Sequence, residues 1–380
     1  MMKKLFYFGI LGLLLFEAAN LYFILPVPGS QEMNSIDLAY FLHTWRWVFR
    51  LAFVAMIATG FRKAFQGSKI LPSLCVLISL GVVYLTNFNI SADTMFLQSG
   101  NLQMRPAVEN KVDKSRLVIG VEYQGQAKAY PIQYLGYHHQ VLDTISGKPL
   151  MVTYCNVCRT GRVFEPVIHG KQESFRLVGM DHFNAMFEDK TTKSWWRQAT
   201  GEAVAGKLKG QVLPEFSSSQ MTLSQWLSIY PNSLIMQADQ YFQVEYDHLS
   251  DYEAGRHEGK LTRRDSLSWQ DKSWVVGVSI GKESKAYDWN ALEKARIIYD
   301  VLDNRPFAVI LADDNNSFAV LELPDQNQKL QLKQDTLMLG QNRYNLLGGS
   351  LDPAIPGLKK LNAYQEYWHS WLTFHPSTQK

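Results

Sequence analysis

Two cysteines three residues apart, Cys155 and Cys158, stand in the run from Met151 to Gly161, MVTYCNVCRTG. Thiols at this spacing can share a soft metal ion or close into a disulfide, and the thiolate is the nucleophile and the metal ligand. The chain has three cysteines in all. The third, Cys75, lies in an apolar stretch, so no disulfide framework surrounds the pair. The residues from Arg159 to Pro166 include Gly, Val, Phe and Pro without helical periodicity, unlike the helix that a thioredoxin-type CxxC opens. A turn between two strands is expected instead, with backbone N–H groups aimed at the sulfurs as in a metal knuckle.

A knuckle supplies two ligands and needs one or two more. His138, His139 and the Asp181-His182 pair are the candidates. Two thiolates with one or two imidazoles suit copper or zinc, for binding, delivery or metal-assisted chemistry. If the site is catalytic, Asp181, Glu188 or Glu202 would act as acid or base. A second reading has Cys155 and Cys158 cycling between dithiol and disulfide, with Arg159 and Arg162 favouring the thiolate. A third is an envelope ligand-binding module with a structural disulfide. Arg159, Thr160, Arg162, Trp195, Trp196, Arg197 and Gln198 are its candidate ligand contacts, and the adjacent tryptophans could stack a ligand or serve as core. Whether the protein is an enzyme is left open. No phosphate loop, GxSxG elbow, HExxH or dinucleotide fingerprint is present, and a net charge of +3 spread along 380 residues excludes a nucleic-acid partner.

The elements that would hold these residues emerge when the chain is compared with itself. Val118 to Cys155 aligns without gaps on Val275 to Ala312, with ten identities, the clearest being Lys128-Ala129-Tyr130 against Lys285-Ala286-Tyr287. Cys155 falls on Ala312, Cys158 on Asn315, His138 on Ala295 and His139 on Arg296. Two copies of one unit are therefore expected, with the chemistry in the first and structural support or a pocket wall from the second. Val118 to Tyr123 and Ala127 to Ile132 read as a hairpin, Ile132 to about Leu142 as a helix, and Leu150 to Tyr154 as a buried strand. Arg162 to Phe164 and Ser174 to Val178 read as strands, and Thr222 to Tyr230 as a helix whose N-cap is Thr222 or a residue near it. The fold expected is α+β, a strand-dominated soluble region of two related repeats preceded by three transmembrane helices.

Those helices are read at about 5–27, 38–60 and 70–88, each long enough for a hydrocarbon layer of roughly 30 Å. The membrane domain is 1–92, the first repeat 93–238, a polar linker 239–261 and the second, degenerate repeat 262–380. Lys3, Lys4, Arg62, Lys63 and Lys69 place the N-terminus and the second connection in the cytoplasm. Three crossings then place the soluble region outside the bacterial inner membrane, in the periplasm or extracellular space. The lipid bilayer is one partner, with an envelope redox or metal-handling protein as another. Glu17, Arg46 and Arg50 are charges within or near the spans; the arginines share a helix face, where they could pair with Glu17, line a functional cavity or snorkel beside Trp45 and Trp47.

Several segments together resemble a known family: Ala127 to Ile132 (AKAYPI), His138-His139, Thr153-Tyr154-Cys155 through Cys158 with Thr160-Gly161, Met186 to Asp189, Ser194 to Gln198, and Gly201-Glu202-Ala203. This order is similar to the bacterial domain-of-unknown-function family 3179, over about Val118 to Pro231. The resemblance implies an envelope protein and a shared site of Cys155, Cys158, a preceding histidine and the Trp-Gln-Gly segment. It implies no reaction.

Overall fold

The computed structural model describes residues Met1–Lys380. The chain divides into two compact units. One comprises Met1–Leu97, Ser174–Arg197 and Glu202–Val212; the other comprises Gln98–Glu173, Gln198–Gly201 and Leu213–Lys380.

The first unit begins with four helices, α1 (Met2–Tyr22), α2 (Ile36–Thr44), α3 (Arg46–Ala64) and α4 (Ile70–Phe88). Two of them, α1 and α4, are long and apolar enough to cross a membrane, not the three expected. The middle stretch is interrupted at Trp45, which separates α2 from α3, and α3 carries Arg46, Arg50, Arg62 and Lys63. α3 packs along α1 through small residues: a Cβ on Gly60 would lie 2.6 Å from the Met2 carbonyl oxygen, and one on Gly9 2.9 Å from that of Phe53. Where the helices meet, Arg50 donates to both oxygens of the buried Glu17 at 2.6 and 2.9 Å, and to Asn87 at 2.7 Å. A carboxylate so far from water is tolerable because the guanidinium neutralises it with matched hydrogen bonds. Arg46 instead donates to the His43 carbonyl.

Ser174–Val212, read from sequence as part of the first repeat, brings a four-stranded antiparallel sheet to this unit, in the order Ala203–Ala205, Trp195–Arg197, Asn184–Asp189, Phe175–Asp181. Met180 N–H donates to the Ile24 carbonyl at 2.7 Å, an approach that a Cβ at Gly179 would obstruct at 2.3 Å. Trp195 packs edge-on against Tyr40 of α2.

In the second unit, one order of elements occurs twice. Strands Leu117–Tyr123 and Gln126–Pro131, helix Ile132–His138, and strands Gln140–Ile145, Lys148–Cys155 and Thr160–Phe164 come first. Strands Trp274–Ile280 and Glu283–Asp288, helix Trp289–Ala295, and strands Ile297–Leu302, Arg305–Leu311 and Phe318–Glu322 follow. Ser218–Thr222 pairs with the first strand of one set, and Ala363–Tyr367 with the first strand of the other. Contacts match too. Trp226 sits where a Cβ on Gly120 would be, as Trp371 does for Gly277. Tyr130 and Lys128 both meet Asp143, as Tyr287 and Lys285 meet Asp300.

The first helix ends at His138, short of the expected Leu142, because His139 takes a left-handed φ of 61° and the chain turns into a strand at Gln140. Thr222 caps its helix as expected, its Oγ1 accepting from Gln225 N–H at 3.1 Å. The segment read as a polar linker instead contains the helix Gln243–His248 and buries Phe242, Tyr246 and Tyr252. Its charges punctuate aromatic anchors, and those anchors tie it to the body of the unit.

A buried dithiol turn as the candidate functional site

The strand Lys148–Cys155 is central in its sheet, between Gln140–Ile145 and Thr160–Phe164, and its residues from Leu150 onward are buried on both faces. It ends at Cys155, which lies opposite Thr160. The loop from Asn156 to Arg159 closes the hairpin, with Arg159 N–H donating to the Asn156 carbonyl at 3.3 Å and Arg159 at φ 57°. Cys155 and Cys158 are both fully buried, and no disulfide joins them.

The turn is clamped from every side. Asn156 Nδ2 donates to the Gly136 carbonyl at 2.7 Å, where a Cβ would meet the amide at 2.6 Å. Tyr252 O–H donates to the Asn156 carbonyl at 2.7 Å, and Tyr367 N–H to the Cys158 carbonyl at 2.9 Å. Arg159 is fully buried and donates to Gln365 at 2.9 Å and to the carbonyls of Tyr252 and Glu253 at 3.3 and 2.7 Å, with its guanidinium 3.7 Å from the Trp274 ring centre. Arg162 donates to Glu366 at 2.8 Å and lies over Tyr364. Both arginines therefore hold the two halves of the unit together. Gln198 donates to Thr153 Oγ1 and to the Thr160 carbonyl, each at 3.0 Å. Thr160 Oγ1 is buried without a hydrogen-bond partner, across the strand pair from Cys155.

The charge beside the sulfurs comes from a residue the sequence reading did not single out. Lys272 Nζ donates to the Val157 carbonyl, within the CxxC turn, at 2.8 Å and lies 3.0 Å from His369 Nε2. Burial pushes Lys272 down to about 8, against the pull of Cys158 and, less strongly, Cys155. Burial and the Lys272 charge push His369 down to about 3, so its ring is neutral at pH 7. His369 Nε2 lies 3.2 Å from the Val157 carbonyl as well, so it accepts from the Lys272 ammonium in one tautomer and donates to that carbonyl in the other. Both residues are partly exposed, whereas Cys155 and Cys158 are fully buried.

Of the remaining candidates, His138 and His139 stand at the end of the helix beside the CxxC strand, with Tyr154 N–H donating to the His139 carbonyl at 3.0 Å, while the acidic ones lie in the other unit. His138 Nε2 pairs with Tyr246 O–H at 2.6 Å, and His139 Nδ1 with the Tyr137 carbonyl at 3.0 Å; burial pushes His139 down to about 4. Asp181, His182, Arg197 and Glu202 form a cluster in the other unit: Asp181 accepts from His182 Nδ1 at 2.6 Å and from Arg197 at 2.6 and 2.8 Å. Burial opposes ionisation of Asp181, but the His182 hydrogen bond and the Arg197 charge outweigh it. Burial likewise opposes ionisation of Glu188, yet His43, Arg176 and Trp195 hold it down to about 2. A carboxylate held there is a weak base at neutral pH. Trp195 and Trp196 are buried, their N–H groups donating to Glu188 and Asp189, which leaves neither ring a face for a ligand. No three Cys, His, Asp or Glu side chains converge as metal ligands would.

The model of one protein family matches residues 98–378. The chain belongs to that family, described as protein of unknown function (DUF3179). No curated protein and no solved structure matches the chain. The match starts where the second unit starts and runs through both sets of elements, well beyond the Val118 to Pro231 stretch that carries the sequence resemblance. In this DUF3179 protein, Lys272, Gln365, Tyr367 and His369, all on the thiol-free set, belong to the family domain as much as the cysteines do. A cation just before the strand Trp274–Ile280 and an imidazole just after the strand Ala363–Tyr367 were the only signals for them in the sequence.

Proposed function

We propose that the protein is a membrane-anchored thiol–disulfide oxidoreductase of the bacterial envelope, with Cys158 attacking and Cys155 resolving. The observation that carries this reading is Lys272, an ammonium fixed on the CxxC turn whose charge bears on both sulfurs and most on Cys158. A cation in that position favours the thiolate, the form that attacks a disulfide. Cys158 thiolate bonds to one sulfur of a substrate disulfide and expels the other as a thiolate, which takes a proton. Cys155, giving up its proton, then bonds to Cys158 and expels the second substrate sulfur. The substrate disulfide becomes two thiols, both electrons come from the pair, and a dithiol reductant resets it. Because both sulfurs are fully buried, the substrate enters by displacing side chains on the turn, and the partly exposed Lys272 and His369 on the Val157 carbonyl are the ones that yield. The matched element order reads as a duplication in which the first copy keeps the thiols and the second supplies their cover.

Zinc does not fit the residues present, since two thiolates are half its usual set and no third donor converges. Copper(I) does fit Cys155 and Cys158, soft ligands for a soft ion, and Lys272 would offset the surplus negative charge. Equilibration of the protein in graded glutathione buffers, with thiols counted and metal measured, decides among these. A reduction potential between about -120 and -270 mV supports exchange, and one below about -300 mV marks a structural bond and sinks it. About one copper per chain, lost in the Cys155→Ser, Cys158→Ser double variant, selects the second reading.

Placement outside the membrane requires α3 to cross beside α1. Its internal Arg50 is neutralised by Glu17, and Arg46, Arg62 and Lys63 lie at its ends, where long basic side chains reach the interface.

A further inference from the structure

The unit that holds the helices contains a cavity of about 470 Å³, lined by the last turn of α1 with the residues after it, the end of α4, Arg46, and Arg176 and Lys193 of the sheet segment, with the carboxylates Asp93 and Glu188 also on its wall. We propose that it binds the headgroup of a phospholipid, a phosphodiester that also carries a hydroxyl or ammonium donor. This rests on the membrane placement proposed above and not on the thiol chemistry.

Two unmet demands meet in this cavity. Asn20 Oδ1 is buried and has no hydrogen-bond partner, so it lacks a donor. A buried acceptor in that condition is costly unless something supplies one. The Arg46 guanidinium makes one hydrogen bond, to the His43 carbonyl, and no carboxylate lies within 4 Å of it. The other cations are differently placed. Arg176 is occupied by Glu188 at 2.9 Å and Asp93 at 3.0 Å, and Lys193 is largely exposed, 4.0 Å from Glu188. An anion is therefore wanted at Arg46 and a donor at Asn20. A glycerol- or ethanolamine-type phosphodiester offers both in one group.

Position points to a lipid as the source. Asn20 lies near the C-terminal end of α1 and Asn87 near that of α4, and these are the two helices of membrane-crossing length and composition. The cavity thus sits at the level where headgroups lie, and Leu21, Ile24 and Leu25 give its wall an apolar side for the first carbons of a chain. Arg50, one turn along α3 from Arg46, does not compete for the phosphate because Glu17 already holds it.

The test uses the full chain purified from membranes in a mild nonionic detergent. Bound phospholipid is extracted and typed by headgroup, and the protein is then offered phosphatidylglycerol, phosphatidylethanolamine and phosphatidylcholine in micelles. We expect about one phospholipid retained per chain, with phosphatidylcholine, which has no headgroup donor, held about tenfold more weakly. Asn20→Leu should erase that preference. Arg46→Gln should weaken all three lipids by about tenfold and Arg46→Lys should restore most of the loss, which shows that the variants fold. Equal retention of phosphatidylcholine, or wild-type retention by both Asn20→Leu and Arg46→Gln, overturns the proposal. Equally tight competition by free glycerophosphoethanolamine overturns the lipid as the source. Release of the wild type from membranes by carbonate overturns the membrane placement itself, whereas an embedded protein that holds no lipid overturns only the site.

Discussion

On the exchange reading, Lys272 tunes two sulfurs more than a hundred residues before it, and its removal should be read in their titration. In Lys272→Met the pair loses the cation held on its turn, so the pH midpoint of iodoacetamide alkylation should rise by about one pH unit and the rate at pH 7 fall about tenfold. A midpoint unchanged from wild type would assign the thiolate's stabilisation to other groups. His369 makes a second prediction. Its folded value, about 3, lies below the ordinary 6.5, so between those values the unfolded chain binds a proton that the native protein refuses. Stability is therefore lost as pH falls through that window, and His139, pushed down to about 4, adds to the same slope. His369→Gln should flatten the acid limb of a denaturation series measured from pH 7 to 4. The cysteine pair was legible in the sequence because two thiols three apart in a nearly thiol-free chain admit few readings. Lys272 was not, since lysines in a polar segment are ordinarily solvated and only the folded turn of Asn156 to Arg159 singles this one out.

Strands and turns were read more securely than the long connections. The hairpin at Gln124-Gly125, the buried strand into Cys155 and the Thr222 cap follow from local patterns that tertiary contacts reinforce. The helix read past His138 failed at one backbone conformation, and the linker failed because composition hides three aromatic anchors among charges. The segment around Trp45 was read as one span because apolar residues dominate it. The break and the basic residues after it are what separate α3 from the two apolar helices. The shared element order carries its own test. Gly120→Ala would put a Cβ 2.3 Å from the Trp226 ring, and Gly277→Ala one 2.1 Å from the Trp371 ring. Each should cost about 1–3 kcal/mol in urea denaturation, since neither indole can retreat from a packed core. Similar costs at the two sites would mark one design used twice, and a cost at Gly120 alone would count against it.

At the scale of the molecule, the number of membrane crossings in the proposed placement decides which compartment the thiols meet. Three crossings put them opposite Lys3 and Lys4, and two return them to that side. A membrane-impermeant maleimide on intact spheroplasts, applied to a chain with one added surface cysteine at Ser217, an exposed site away from the turn, should label it if α3 crosses. Protection until the membrane is broken would place the domain inside. The second set of elements is likewise indispensable to the first. A chain ended after Ala238 lacks Lys272, Gln365, Tyr367 and His369, so its Cys155 and Cys158 should react with a thiol reagent at once, where the full chain's react slowly. That dependence also has a consequence in time. Val157 and His369 are 212 residues apart, and at about 5–20 residues per second a ribosome needs roughly 10–40 s to travel between them. For that interval the nascent dithiol has no cover. Any oxidant or stray thiol in its surroundings meets it bare, so the cell must carry each new copy through a window of chemical vulnerability that the finished fold then closes.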